Sequence, residues 1–197
     1  MKQSEALTVI SNAISRCNLC TELSEYRITN NYHHVPGEGA PNADLMFLGE
    51  GPGEDEAESG RPFVGKAGKL LDKIIAAAGL RRDQVFILNV VKCRPPGNRV
   101  PTDEEATNCR KFLDMQIQVV NPRWIICLGK TAAINLLGYS DKMTVNNLRG
   151  QHEYEGRNVI CTFHPSFLLR PGNEWAKSEL WEDIKPAIAA LQKEIPS

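Results

Sequence analysis

Apolar residues along this chain follow two alternating rhythms. One is a short unbroken run of strand length, seen in "DLMFLGE" (44–50), "QVFILNVVKC" (84–93), "RWIICLG" (123–129) and "RNVICTFHP" (157–165). The other is helical. In "KAGKLLDKIIAAAG", Ala67, Leu70, Leu71, Ile74, Ile75 and Ala78 fall on one face, and Gly79 supplies the stop. "TDEEATNCRKFLDMQIQVV" opens with a capping box, Thr102 with Glu105 three positions on. "KTAAINLLG" and a segment over roughly 174–193 complete the set, behind an N-terminal helix that precedes "RCNLC".

Strands that are apolar at every position are covered on both faces, and their alternation with helices predicts a parallel sheet. The expectation is an α/β chain: a single domain over 1–197, folded as a three-layer α/β/α sandwich around a four-stranded parallel sheet. Such sheets bind ligands beyond the carboxyl ends of their strands. The candidate site therefore comprises Glu50 to Phe63, Asn89 to Arg94, Gly129 with Lys130, and His164 to Ser166.

With 197 residues, 42% of them hydrophobic, one domain can bury a sizeable core. A formal net charge of −1 predicts no polyanion partner from bulk charge, so nucleic-acid binding would need a local basic face. No run of about eighteen apolar residues suggests a membrane span, and the N-terminus lacks a signal-peptide pattern. The expectation is a cytoplasmic monomer with no membrane partner. Cysteines in that compartment are ligands, nucleophiles or core residues more often than disulfides.

Cys127 and Cys161 lie inside apolar strands and read as core. Cys17 and Cys20 form a C-x-x-C knuckle, and Cys93 and Cys109 are separated by fifteen residues. Four such thiolates can hold tetrahedral zinc or an iron–sulfur cluster. One knuckle joined to two dispersed cysteines favours a 4Fe-4S cluster, with structural zinc as the alternative. Either would staple the N-terminal helix to the segment after the second strand. The loop "GEGPGEDEAESGRPFVGKAG" is rich in glycine and in carboxylates that repel phosphate, and it matches neither a dinucleotide fingerprint nor a Walker motif. Asn89 inside "FILNVV" would be costly if buried without partners. His33, His34 and His152 read as surface residues.

Together "GEGPGEDEAESGRPFVGKAGKLL", "NVVKCRPPGNRVPTDEEATNC" and "HPSFLLR", with "CNLC" before them, resemble the iron–sulfur (family 4) uracil-DNA glycosylases over roughly residues 10–190. The resemblance implies an enzyme that flips uracil out of single- or double-stranded DNA and hydrolyses its N-glycosidic bond in base excision repair. It implies a 4Fe-4S cluster on Cys17, Cys20, Cys93 and Cys109. Phe63 matches the aromatic that stacks on the base. The Asn89 amide can accept from uracil N3–H and donate to O4, a pattern that cytosine inverts. His164 matches the histidine that donates to O2 as the base departs. Glu50 and Glu56 occupy the family's acid positions, Glu50 to place water and Glu56 to line the pocket. Gly51 and Gly53 would let backbone amides approach the base. The best-known relatives carry an aspartate where this chain has Gly51, so their water activation does not transfer.

DNA would be held by a rim of Arg94, Arg99 and Arg170 with Lys92 nearby, by Ser166 on a phosphate, and by Leu168 or Leu169 wedged into the stack. "RPPGNRVPTDEE" lacks the nucleophilic histidine of a related branch that traps DNA covalently, which predicts ordinary turnover. No particular sliding-clamp partner is indicated. The rival readings are a non-catalytic iron–sulfur nucleic-acid-binding module and a doubly wound nucleotide hydrolase. The second would need a phosphate loop that the chain lacks.

Overall fold

The structure, a computed structural model, describes residues 1–192. The last residue of the expected final helix, 193, and the end of the domain drawn to 197 lie outside the described residues. Helices α1 (Gln3–Ser15) and α2 (Thr21–Thr29) precede strands β1 (Glu38–Gly39) and β2 (Leu45–Gly49). Then come α3 (Glu54–Ser59), α4 (Lys66–Ala77), β3 (Phe86–Asn89), α5 (Asp103–Val120) and β4 (Trp124–Leu128). The chain continues through α6 (Lys130–Leu137), α7 (Val145–Leu148), β5 (Gly150–Tyr154), β6 (Arg157–Thr162), α8 (Pro165–Leu168) and α9 (Ala176–Gln192).

The strands form one sheet in the order β1-β3-β2-β4-β6-β5. The four inner strands are parallel, and β1 and β5 are antiparallel edges. A six-stranded mixed sheet therefore replaces the four-stranded parallel sheet that the hydropathy pattern suggests. Neither edge could announce itself by an apolar run: β1 has two residues, and β5 ("GQHEY") has no buried position. β5 and β6 are joined at Glu155–Gly156, both with positive φ (49° and 75°), the twist that a tight hairpin requires.

Alternate residues of the inner strands feed two cores. Met46, Leu48, Leu88, Ile125 and Cys127 face Leu113 and Ile117 of α5 and Leu136 of α6. Leu45, Phe47, Ile87, Ile126 and Ile160 face Leu71 and Ile75 of α4 and Leu180 and Ile184 of α9. Cys127 and Cys161 sit opposite each other in register and are buried. α1 docks on α5 through Ile10, Ile14 and Phe112.

The run 84–93 is strand only over 86–89. Beyond Asn89 the chain stays beside β2: the Val90 amide donates to the Gly49 carbonyl (3.0 Å) and the Val91 amide to the Glu50 carbonyl (3.2 Å). Its apolarity reflects burial rather than extended pairing. The capping box of α5 forms as expected. Thr102 Oγ1 accepts from the Glu105 amide (3.2 Å), and the Glu105 carboxylate accepts from the Thr102 amide (2.8 Å).

Glu105 also takes both ends of the Arg99 guanidinium, at 2.7 and 2.9 Å. Chiefly through Arg99, its carboxyl is held below the usual range, although burial opposes the shift. The stabilisation is complete above the unfolded value of about 4.3 and is lost as pH falls through the lower folded value. Chemical denaturation from pH 7 to 3 should therefore show a flatter acid limb in Glu105→Gln than in the parent. Parallel limbs would show that Glu105 does not supply this pH-dependent stability.

Candidate functional site

The carboxyl ends of the inner strands align, with Gly49 opposite Asn89 and Leu128 opposite Thr162. Beyond them opens a cleft of about 1000 Å³. Phe63, Asn89 and His164 line it together, as do Glu50, Gly51, Gly53, Glu56, Arg99, Ser166, Leu169 and Arg170. Three side chains far apart in sequence thus share one cavity.

Asn89 ends β3 with 1% of its surface exposed, and its Oδ1 has no hydrogen-bond partner among the described residues. A buried carbonyl left unpaired normally costs about 1–3 kcal/mol, so this atom is available to a ligand. Its backbone is fixed by Lys92, whose Nζ donates to the Asn89 carbonyl at 2.7 Å. A Cβ at Gly49 would lie 2.3 Å from Asn89 Oδ1 and 2.5 Å from Phe63 Cζ. Only a residue without a side chain lets ring and amide come this close.

Phe63 is buried with φ at 51°, a conformation that costs a non-glycine residue about 1–3 kcal/mol. Its ring centroid lies 5.7 Å from that of His164, tilted by 33°. His164 caps α8. Its Nδ1 accepts from the Ser166 amide (3.1 Å), and the Ser166 hydroxyl lies 2.8 Å from the same atom. An Nδ1 that accepts leaves the ring proton on Nε2, which makes His164 a neutral donor. Burial pushes its pKa down to about 4, with the Arg170 charge adding to the effect.

The acids of the opening loop divide by partner. Glu50 accepts from the Thr131 hydroxyl at the start of α6 and faces the cleft. Glu56, expected to line the pocket, does so with its carboxylate already engaged: Oε1 takes the Val64 and Gly65 amides (both 2.8 Å), and Oε2 takes Gly53 (3.0 Å). The Gly53 amide is thereby withdrawn from any base, which corrects its expected role. Gly51 lacks a side chain for a packing reason, since a Cβ would lie 2.9 Å from Val91 Cγ2.

The expected rim is corrected at Arg94, Lys92 and Leu168, while Arg99, Ser166, Leu169 and Arg170 line the cleft. Lys92 is fully buried. Arg94 is 8% exposed, bonded to Glu54 (2.9 Å), Tyr32 (2.6 Å) and Asn98 (2.8 Å). Arg99 lines the cleft but is paired with Glu105 and Glu22. Leu168 is in the core, whereas Leu169 is 47% exposed at the lip. Ser166 orients His164. His34 is buried, not at the surface, with Nε2 3.0 Å from the Cys17 carbonyl. Sequence reasoning missed Thr131 and the lining lysine Lys66, whereas Lys130, expected just past the third apolar strand, does line the cleft. Lys66 stood in view within "GKAG", at the start of α4, once the Walker reading was set aside.

Cys17 follows α1, Cys20 caps α2, Cys93 follows β3 and Cys109 lies in α5. They are close enough to act on one another electrostatically. Burial first, then Cys109, pushes the Cys93 thiol up to about 12, and Cys20 is raised by burial and by Cys109 and Cys17. Asn108 Nδ2 lies 3.6 Å from Cys20 Sγ. Among the described residues no three His, Cys, Asp or Glu side chains form a group that could hold a metal ion.

Residues 36–185 match the family model described as "Uracil DNA glycosylase superfamily". The chain is 41% identical over 192 residues to the Type-4 uracil-DNA glycosylase of Thermotoga maritima, covering 96% of this chain and 97% of that protein. It is 41% identical over 172 residues to the Type-4 uracil-DNA glycosylase of Archaeoglobus fulgidus, covering 84% of each. A Type-5 uracil-DNA glycosylase of Pyrobaculum aerophilum is 31% identical over 182 residues, 79% of this chain and 80% of that protein. With the ends of four parallel strands converging on one cleft and these matches spanning most of the sequence, the chain belongs to the uracil-DNA glycosylase superfamily.

Proposed function

We propose that the protein excises uracil from DNA, and that the unpaired Oδ1 of Asn89 in the cleft carries this reading. A flipped uracil enters with one face on Phe63. Asn89 Oδ1 accepts from N3–H, and its amide nitrogen donates to O4. Cytosine offers a donor and an acceptor in the reverse places, so the same amide rejects it. A site built to pair with one polar edge leaves buried groups unpaired when it meets another.

Breaking the glycosidic bond sends electrons into the base, and negative charge collects on O2. His164 Nε2–H, neutral and fixed by Ser166, donates to that oxygen. Preorganised donation in a desolvated cleft, rather than proton transfer, lowers the barrier. The sugar left behind has oxocarbenium character, which a carboxylate stabilises. Glu50, held by Thr131, supplies it and directs water to the anomeric carbon. Glu56 is assigned to loop bracing instead of catalysis. Arg170, Lys66 and Lys130 at the cleft supply phosphate contacts in place of the buried Arg94 and Lys92, and Leu169 serves as the wedge.

The four cysteines, from segments around α1, α2, β3 and α5, are thiol donors of the kind that hold a 4Fe-4S cluster, with structural zinc as the alternative. Bound there, the cluster would supply structure, and nothing in the cleft requires it for a step.

These roles set the outcome of four measurements. An oligonucleotide with one deoxyuridine should be cut by alkali after incubation, and His164→Ala should slow excision about 10²–10³-fold while abasic DNA still binds. With an imidazole pKa of about 4, the rate should not fall between pH 7 and 5 on account of this histidine. A strand left intact by the parent protein would end the reading. Asn89→Asp should depress uracil cutting and raise the cytosine-to-uracil ratio; an unchanged ratio would remove Asn89 as the edge reader. The purified protein should be brown and contain iron, because zinc is colourless, and a colourless zinc protein would reverse the cluster assignment.

A further inference from the structure

The geometry points to Arg82 as a positioning residue that sets the stacking face of Phe63 from outside the cleft. The inference rests on the reading of Phe63 as the ring that carries the base.

Phe63 stands at φ 51°, where Cβ of an L-residue crowds the backbone. Such a conformation persists only where neighbours over-determine it. Arg82, in the turn before β3, donates from Nη1 to the Phe63 carbonyl (3.1 Å) and from Nη2 to the Pro62 carbonyl. From the other direction Glu56 takes the next two amides, Val64 and Gly65. Two successive carbonyls are therefore gripped by a cation and the following two amides by an anion, with the strained residue between them. Gly68 of α4 makes the space, since a Cβ there would lie 2.0 Å from the carbonyl carbon and oxygen of Phe63.

Arg82 is itself fixed. Its Nε bonds Glu38 of β1 (2.8 Å) and its Nη1 bonds Asp72 of α4 (2.6 Å). Its side chain is 21% exposed, and it is not part of the cleft lining. Two carboxylates on the guanidinium leave it unsuited to a DNA phosphate. Bridging two carbonyls and two carboxylates from one group demands a planar fork, which lysine lacks. Without that fork Phe63 can relax towards an ordinary φ, and its ring swings away from Asn89 and His164.

A double-mutant cycle on excision of uracil from a single-stranded oligonucleotide tests this. Arg82→Ala should lower kcat/KM by about tenfold in the parent background, within the range of coupled neighbours. In the Phe63→Ala background it should lower it by no more than about twofold. Because Arg82 touches no phosphate, the salt dependence of binding should stay that of the parent. Arg82→Lys keeps a charge near Glu38 and Asp72 should Arg82→Ala fail to fold, and it should show the same background dependence. Equal losses in both backgrounds, or a shallower salt slope, would overturn the role of Arg82 and leave the stacking reading standing. If Phe63→Ala alone left kcat/KM unchanged, the stacking reading itself would fall, and this inference with it.

Discussion

The carboxyl end of β3 carries a buried amide oxygen that no group among the described residues satisfies, and its surroundings keep it that way. Lys92 bonds the Asn89 backbone but not the side-chain oxygen. Gly49, in register on the neighbouring strand, contributes no Cβ. Phe63 and His164 close the apolar sides of the space. Proteins rarely leave a buried carbonyl unpaired, because each one lost costs about 1–3 kcal/mol. At the mouth of a cleft, such an atom is the one that the proposed pairing with uracil N3–H would satisfy.

That constraint explains the acid-rich loop. Its carboxylates are not gathered to bind a cation. Glu56 satisfies three backbone amides, Glu54 anchors a buried arginine, and Glu50 is turned to the cleft by Thr131. A loop with many glycines loses much conformational freedom on ordering, and side chains that bond its own backbone offset the loss locally. The glycines are therefore sites of close approach rather than a phosphate cradle.

The inner strands were legible because burial on both faces writes itself as a continuous apolar run. The edges were not, since β5 is half exposed and β1 is too short to carry a pattern. Asn89 and His164 stood out by their positions at strand ends, whereas Phe63, beyond α3, was singled out by the family resemblance. Arg94 and Arg99 read as free rim cations for a different reason: charge in a sequence does not say whether a side chain is already spoken for. Arg94 and Arg99 have acids in reach that lie far off in the chain, Glu54 and Glu22. Nor could the sequence reveal that Phe63 has a left-handed backbone, because nothing local marks a non-glycine residue for it.

Arg94 shows what such a misread residue does instead. Burying a guanidinium is expensive unless its donors are satisfied. Here they reach Glu54, Tyr32 and Asn98, while the rings of Tyr26 and Tyr32 lie 6.0 and 5.2 Å from its carbon. Tyr26 belongs to α2, directly after Cys20, Arg94 follows Cys93, and Glu54 opens α3 in the cleft loop. One arginine thus ties the cysteine-bearing segments to the loop that carries Glu56 and Phe63. Order at the cysteines and order at the cleft are linked through planar stacking and forked hydrogen bonds, and a lysine in that place would supply neither.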